Sequence, residues 1–317
     1  MPIPTSPDRP ARPTISPAEA IEALGRGTYK TEHLQALSDL GRNDARLLVK
    51  EWPGIPDETR SAVLRQLAQL AEDNVEYNFG RVFRSALNDP SAVVRQLAIS
   101  GLWEDESHDL IDMFIEMMES DESIDVRAEA ASALAPYADN AAFDELQQQN
   151  AEHIRASLLS SADSGDQPEL VRRRALESVA VYGGTPISDL IARAFDSDDS
   201  ATRASALYAM GRSLDRKWLG TVIDELESDD AEMRYEAARA SGELAYVDAV
   251  PGLIDLLGDA DIEVRQAAIT ALGKIGGKGA VRALQEYSQR SPNSDLELVN
   301  EAIAEAQLFE SDVRVRA

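Results

Sequence analysis

From residue 57 onward, short runs of apolar residues at helical spacing alternate with brief Asp-rich breaks, and each break leads into an alanine-rich run. Val250-Pro251-Gly252-Leu253-Ile254-Asp255-Leu256-Leu257 places its apolar residues three and four apart, on one face of an α-helix. The break Asp259-Ala260-Asp261 follows, and then a run carrying Val264, Ala267, Ala268, Ala271 and Leu272. Carboxylates at such a break accept from the free amides of the next helix and favour its positive N-terminal end. The pattern predicts a helix A, an acidic turn and a helix B. Alanine on helix B lets neighbouring helices approach closely. A lone pair would leave an apolar face in water, and stacked neighbours cover it.

The unit recurs along the chain. Asp198-Asp199-Ser200-Ala201-Thr202-Arg203 leads into Ala206 and Leu207, and Asp229-Asp230-Ala231-Glu232-Met233-Arg234 leads into Ala237 and Ala238. Arg203, Arg234 and Arg265 stand 31 residues apart. Looser copies run from Asp89-Pro90 to Val94-Arg95 and Ala98, from Asp121 to Val126-Arg127 and Ala130, and from Asp166 to Val171-Arg172 and Ala175. The first copy, Asp57 to Arg60, is weak, and in the last Val299-Asn300 replaces Val-Arg. Atypical end repeats are what a stack needs as caps. Gly211, Gly242 and Gly273 stand near the ends of three helix-B runs and read as C-terminal stops.

The Asp-x-x-x-x-Arg-x-x-Ala unit resembles the HEAT superfamily, in the short form also found in phycobilisome lyases, over roughly residues 57–309 and most clearly over 198–277. The resemblance implies an all-α fold, a right-handed α-α superhelix (α-solenoid) of about 7–8 two-helix repeats. It also implies an inter-repeat ladder of helix-B arginines and turn aspartates. That role passes to Arg95, Arg127, Arg203, Arg234 and Arg265, with Asp198, Asp229 and Asp259 among the acids.

Several segments depart from the period. Six prolines fall within residues 1–17, which predicts an extended tail. Ser16-Pro17-Ala18-Glu19 then has the form of a capped helix start, and helices over 18–56 are expected to cap the stack. The repeats fill 57–309, with an insertion at 139–168 where Arg127 and Arg172 are 45 residues apart. Phe143, Leu146, Ile154, Leu158 and Leu159 suggest one elongated helix over about 140–160 in that insertion, followed by a polar loop to Pro168. Residues 310–317 form a C-terminal tail.

Composition narrows the chemistry. Of 317 residues, 44% are apolar and only 5% aromatic, a balance suited to close-packed helices. The chain has no cysteine, which excludes disulfides, thiolate nucleophiles and cysteine-held zinc. Its net charge of −26 opposes binding to phosphate backbones and anionic lipid. Five lysines stand against 26 arginines, a bias shared by halophilic hosts, GC-rich genomes and proteins with basic partners. No secretory signal pattern or bilayer-length apolar run occurs, so a cytoplasmic protein is expected.

No motif of catalysis emerges. His33, His108 and His153 form no zinc-binding helix pair, and none is followed by glutamate, unlike the iron-holding His-Glu pairs of deoxyhypusine hydroxylase, a HEAT-like enzyme. The acidic breaks lack the form of a calcium loop, and Gly273–Gly279 joins helix to helix without the order of a phosphate loop. No catalytic residue, cofactor or metal is expected. What remains is a surface. Solenoids bind along the concave helix-B face, and aromatic and arginine side chains dominate binding hot spots. Trp103, Tyr208, Tyr235 and Arg239 are placed on helix B, with Tyr208 and Arg239 each five residues beyond a repeat arginine. The leading expectation is a non-catalytic scaffold or adaptor for a protein partner. The resemblance also allows a phycobilin-lyase-like tetrapyrrole carrier, and charge disfavours a nucleic-acid partner.

Overall fold

The computed structural model describes residues 15–143, 145–290 and 295–315, with side chains through residue 307. The described residues form helices and connecting turns, with no strand among them. They fall into two compact units, Met1–Leu134 and Ala135–Ala317.

The first unit holds α1 (Pro17–Gly25), α2 (Thr31–Gln35), α3 (Arg42–Glu51), α4 (Asp57–Asp73), α5 (Gly80–Ala86), α6 (Ala92–Ser100), α7 (Asp109–Ser120) and α8 (Ile124–Ala133). Ser16 starts α1 with a capping box: its backbone N–H donates to the Glu19 carboxylate at 2.8 Å, and its hydroxyl accepts from the Glu19 amide at 3.3 Å. Helices α5 and α7 each pack on the helix that follows, and α4, α6 and α8 pack side by side in succession. Val63, Leu64, Leu67, Phe83, Val94, Ala98 and Phe114 are buried in its core. The proline-rich segment expected over 1–17 lies, through residue 14, outside the described residues.

The second unit holds α9 (Ala135–Ala142), α10 (Gln148–Asp163), α11 (Glu169–Val179), α12 (Thr185–Phe195), α13 (Ser200–Arg212), α14 (Leu219–Glu225), α15 (Ala231–Leu244), α16 (Val250–Leu256), α17 (Ile262–Ile275), α18 (Gly277–Ser288) and α19 (Leu296–Val315). The B helices α11, α13, α15, α17 and α19 pack each on the next, and α12, α14, α16 and α18 each pack on the B helix that follows. Asp199, Asp230 and Asp261 cap α13, α15 and α17 through their side chains, as the acidic breaks predict.

Gly211, Gly242 and Gly273 are not helix stops. They lie inside α13, α15 and α17. A Cβ on Gly211 would sit 2.7 Å from the Cα of Ala240, and one on Gly242 or Gly273 would sit 3.0 Å from the Cα of Ala271 or Ala302. These glycines remove the side chain at the point where consecutive B helices touch backbone to backbone. The reversals come later, at Gly183, Leu214, Ala245 and Gly276, again 31 residues apart and all at positive φ. Two of the four carry a side chain in a conformation that glycine adopts more cheaply.

The stretch expected as one helix over about 140–160 is instead two, α9 ending at Ala142 and α10 starting at Gln148. The two pack against each other, and α9 also packs on α11. A single straight helix could not fold back on itself in this way. Tyr137 and Ala138 of α9 and Ile154 and Leu158 of α10 supply the buried faces, while Phe143 at the break is exposed. At the C-terminus, α19 continues to Val315, through most of the segment expected as a tail.

Candidate functional site

The repeat arginines organise each junction in the same way. Arg95 donates from Nε to Asp121 Oδ2 at 2.8 Å and from Nη2 to Oδ1 at 2.7 Å, while Nη1 reaches the carbonyl of Asp89 in its own turn at 2.8 Å. Arg234 repeats this with Asp259 at 2.7 and 3.1 Å and with the Ser228 carbonyl at 2.7 Å. The planar guanidinium thus fastens its own turn to the next, in the two-pronged geometry that suits a carboxylate. Arg60 forms the same rung with Asp89: Nη2 donates at 3.0 Å, and Nε stands 2.8 Å away as an ion pair. The Asp89 carboxylate is fully buried and also accepts from Trp52 Nε1 at 2.7 Å. Arg265 is 3.8 Å from Asp295 and donates to the Asp259 carbonyl. Arg127 donates to the Met118 carbonyl.

The rung aspartate stands six residues before the arginine of its own repeat, as Asp89, Asp121 and Asp259 do. That position differs from the one expected at Asp198 and Asp229. Both are exposed, five residues before their arginine. Asp198 gives only its carbonyl to Arg203, at 3.4 Å. The rung positions beside them are Ser197 and Ser228, whose side chains are too short and uncharged to complete a rung. Arg203 accordingly makes long bonds to the Ser197 and Asp198 carbonyls and no ion pair among the described residues. The Arg234 fork holds Asp259 below the ordinary carboxylate range. Burial by itself would raise Asp121, but hydrogen bonds from Arg95 and the Ser123 amide outweigh it and leave the group lowered.

Tyr208 of α13 and Tyr235 and Arg239 of α15 come together. The Arg239 guanidinium lies 4.7 Å from the Tyr208 ring centroid and 5.5 Å from that of Tyr235, within range for cation–π attraction. Its Nη1 donates to both Glu236 oxygens, at 3.0 and 3.2 Å. Burial raises the Glu236 carboxyl against the pull of Arg239. The cluster opens onto a groove of about 540 Å³ between α15 and α17, with Gln266, Thr270 and the 2.6 Å Lys274–Glu243 pair along it. Spacing links Tyr208 to Arg239; the approach of Tyr235 to the same guanidinium and the bracing by Glu236 are visible only in three dimensions.

Trp103 is not on a B helix. It belongs to the turn after α6, which ends at Ser100, and it lies in the first unit with 64% of its surface exposed. Gly101 packs under the Phe83 ring, where a Cβ would come within 2.2 Å, and the chain turns away from there. His33 accepts from the Lys30 amide at 3.1 Å and so serves the start of α2. Among the described residues no cluster of three potential metal ligands occurs, and no helix is long and apolar enough to cross a membrane.

The family model for HEAT repeats matches residues 81–159 and 219–304. No curated protein sequence matches the chain significantly. Among solved structures, the complex of CpcE and CpcF of phycocyanin lyase from Nostoc sp. PCC7120 is similar at 16% identity and a TM-score of 0.48, over 72% of this chain and 94% of that one. Human deoxyhypusine hydroxylase is similar at 17% identity and a TM-score of 0.36, over 92% and 97% of the two chains. Importin beta is similar at 14% identity and a TM-score of 0.46, over 91% and 48%.

Proposed function

Because the chain belongs to the HEAT-repeat family, we propose that it is a non-catalytic scaffold that binds a protein partner on the helix-B face of its second unit. The observation that carries this reading is the Tyr208–Arg239–Tyr235 cluster. Arg239 lies within reach of two ring faces and is braced by Glu236, so little side-chain freedom is lost when a partner covers it. Aromatic and arginine side chains fixed in this way are the usual anchors of binding surfaces. The adjoining groove is lined by hydroxyl, amide and charged groups as well as by Tyr235, a mixture that suits a polypeptide. On this reading Trp103 is a separate anchor on the first unit, the helices of 18–56 cap the repeats, and the protein works in the cytoplasm.

The test is an affinity capture from the host's own lysate at its native salt, read by mass spectrometry. The wild-type chain is compared with a Tyr208→Ala/Tyr235→Ala/Arg239→Ala variant and with Trp103→Ala. A stoichiometric partner lost in the triple variant supports the placement. A partner retained by the triple variant removes it, and loss only in Trp103→Ala moves the surface to the first unit.

A further inference from the structure

The rungs of the two units make an interruption in the second one meaningful. In Arg95 and Arg234 the Nε donates to the aspartate of the next turn, at 2.8 and 2.7 Å. In Arg172 the same atom is shut off from solvent and has no hydrogen-bond partner among the described residues. The residue at the rung position of the next turn is Ser197, where Asp121 and Asp259 stand in the completed rungs. Arg172 turns one prong back to Glu169 of its own helix, at 3.1 Å. Between Arg172 and Ser197 lies a cavity of about 450 Å³.

The other walls of the cavity carry charge. Arg173 and Arg193 join Arg172, against the carboxylates of Asp163 and Glu169. Arg193 pairs with Asp163 at 2.5 Å, and Glu169 also accepts from the Thr202 hydroxyl at 3.0 Å. Three guanidiniums against two carboxylates leave the lining net positive in a chain whose net charge is −26. Such a site attracts an anion that most of the surface repels. Arg172 also stands at the ladder position at which Arg95 and Arg234 each hold a carboxylate.

We propose that the cavity between α10, α11, α12 and α13 is a carboxylate-binding site, in which a foreign carboxylate pairs with the Arg172 guanidinium beside Ser197, where a rung aspartate stands elsewhere. The site stands on different residues from the Tyr208–Arg239–Tyr235 surface and does not depend on it.

The test is a titration of the full-length chain followed through the Arg172 Nε–Hε resonance, assigned by its loss in Arg172→Gln. Two probes are used at fixed pH and ionic strength, acetate and a blocked Gly-Asp-Gly tripeptide, with chloride as the balancing anion. The expected result is a saturable shift with at least one carboxylate and none with chloride. Ser197→Asp restores the rung from within and is expected to move the resonance before any addition and to abolish the titration. If that variant does not fold, Ser197→Asn, which fills the same space without charge, is expected to weaken binding at least tenfold. Saturation by the tripeptide at a tenfold lower concentration than acetate assigns the carboxylate to a polypeptide; any other saturable order assigns it to a free small carboxylate. No saturable shift with either probe, or an undiminished shift in a folded Ser197 variant, overturns the proposal.

Discussion

Residues 57–134 and residues 198–277 repeat the same helix pair, yet they hold neighbouring repeats together by different means. In the first stretch the junctions are ionic and deeply covered: the Arg60 and Arg95 side chains are 8% and 9% exposed, and the Asp89 carboxylate is fully buried. Eight residues beyond those arginines stand Ala68 and Trp103, neither a glycine. In the second stretch Gly211, Gly242 and Gly273 occupy that position and bring backbones into contact with Ala240, Ala271 and Ala302. Among the described residues there, the two-pronged rung is complete at Arg234–Asp259, Arg265 and Asp295 stand 3.8 Å apart, and serine takes the rung position at Ser228 and, just before the stretch, at Ser197. A repeat junction therefore has two independent fastenings, one that fixes register through charge and one that fixes distance through the absence of a side chain.

The sharpest way to break this comparison is at Asp89. Asp89→Ala leaves the buried Arg60 guanidinium and Trp52 Nε1 without their shared acceptor, and a buried charge stripped of its partner costs about 3–5 kcal/mol. Asp259→Ala removes a rung from a junction that Gly242 also holds and is expected to cost less, about 1.5–3 kcal/mol. Guanidinium unfolding of both variants measures the difference. Equal losses would mean that the glycine contact adds nothing.

Next in size is the steric fastening. Gly211→Ala gains about 1 kcal/mol of helix propensity, but its Cβ would stand 2.7 Å from the Ala240 backbone. Forcing the two helices apart costs about 1–3 kcal/mol, so net destabilisation is expected in the same unfolding experiment. A more stable Gly211→Ala would show that α13 and α15 tolerate a wider spacing.

Acid separates the two fastenings directly. The Arg95 and Arg234 rungs lower Asp121 and Asp259 in the folded protein. A carboxylate lowered by folding contributes stability that is fully present above its unfolded pKa of about 3.9 and is lost as pH falls through the lower folded value. Stability measured from pH 6 downward is thus expected to hold to about pH 4 and to fall below it, with a shallower fall in Asp259→Asn. A variant whose acid limb matches wild type would dissociate the rung from that loss.

The smallest expected effect is a gain. Ala245 ends α15 at φ 48°, where the equivalent residue after α17 is Gly276. Ala245→Gly is expected to raise stability by about 0.5–1 kcal/mol, the left-handed strain removed less the greater freedom of glycine in the unfolded chain. A rise of about one to two degrees in the unfolding midpoint would register it.

The repeats were legible because their signal is local: periodic apolar residues, alanine on helix B and acids at each turn suffice to place the helix pairs. The function of a repeated residue was harder to read. Asp198 and Asp229 look as suited to a ladder as Asp259 does, since a shift of one position in an acidic run leaves its composition unchanged. The reach of an arginine side chain selects the correct carboxylate, and that reach is visible only in three dimensions. Gly211, Gly242 and Gly273 resemble helix stops for a related reason. Glycine near a helix end suits both a reversal and a close contact, and the neighbour that decides between them lies 29 residues further on. Trp103 shares its offset with those glycines in sequence but stands beyond the end of α6.

The positive-φ positions Leu214 and Ala245, 31 residues apart, mark equivalent points on consecutive repeats. Excising the residues from Asp215 to Ala245 would join Leu214 to Tyr246 with the reversal retained, and Gly211 would then face Ala271 where it now faces Ala240. The interface that closes is made of the same residue types as the two it replaces. The molecule is in this sense modular at the level of the gene: a lineage can lengthen or shorten it by whole repeats without inventing a new contact, and the reach of its binding face becomes a quantity that duplication can adjust.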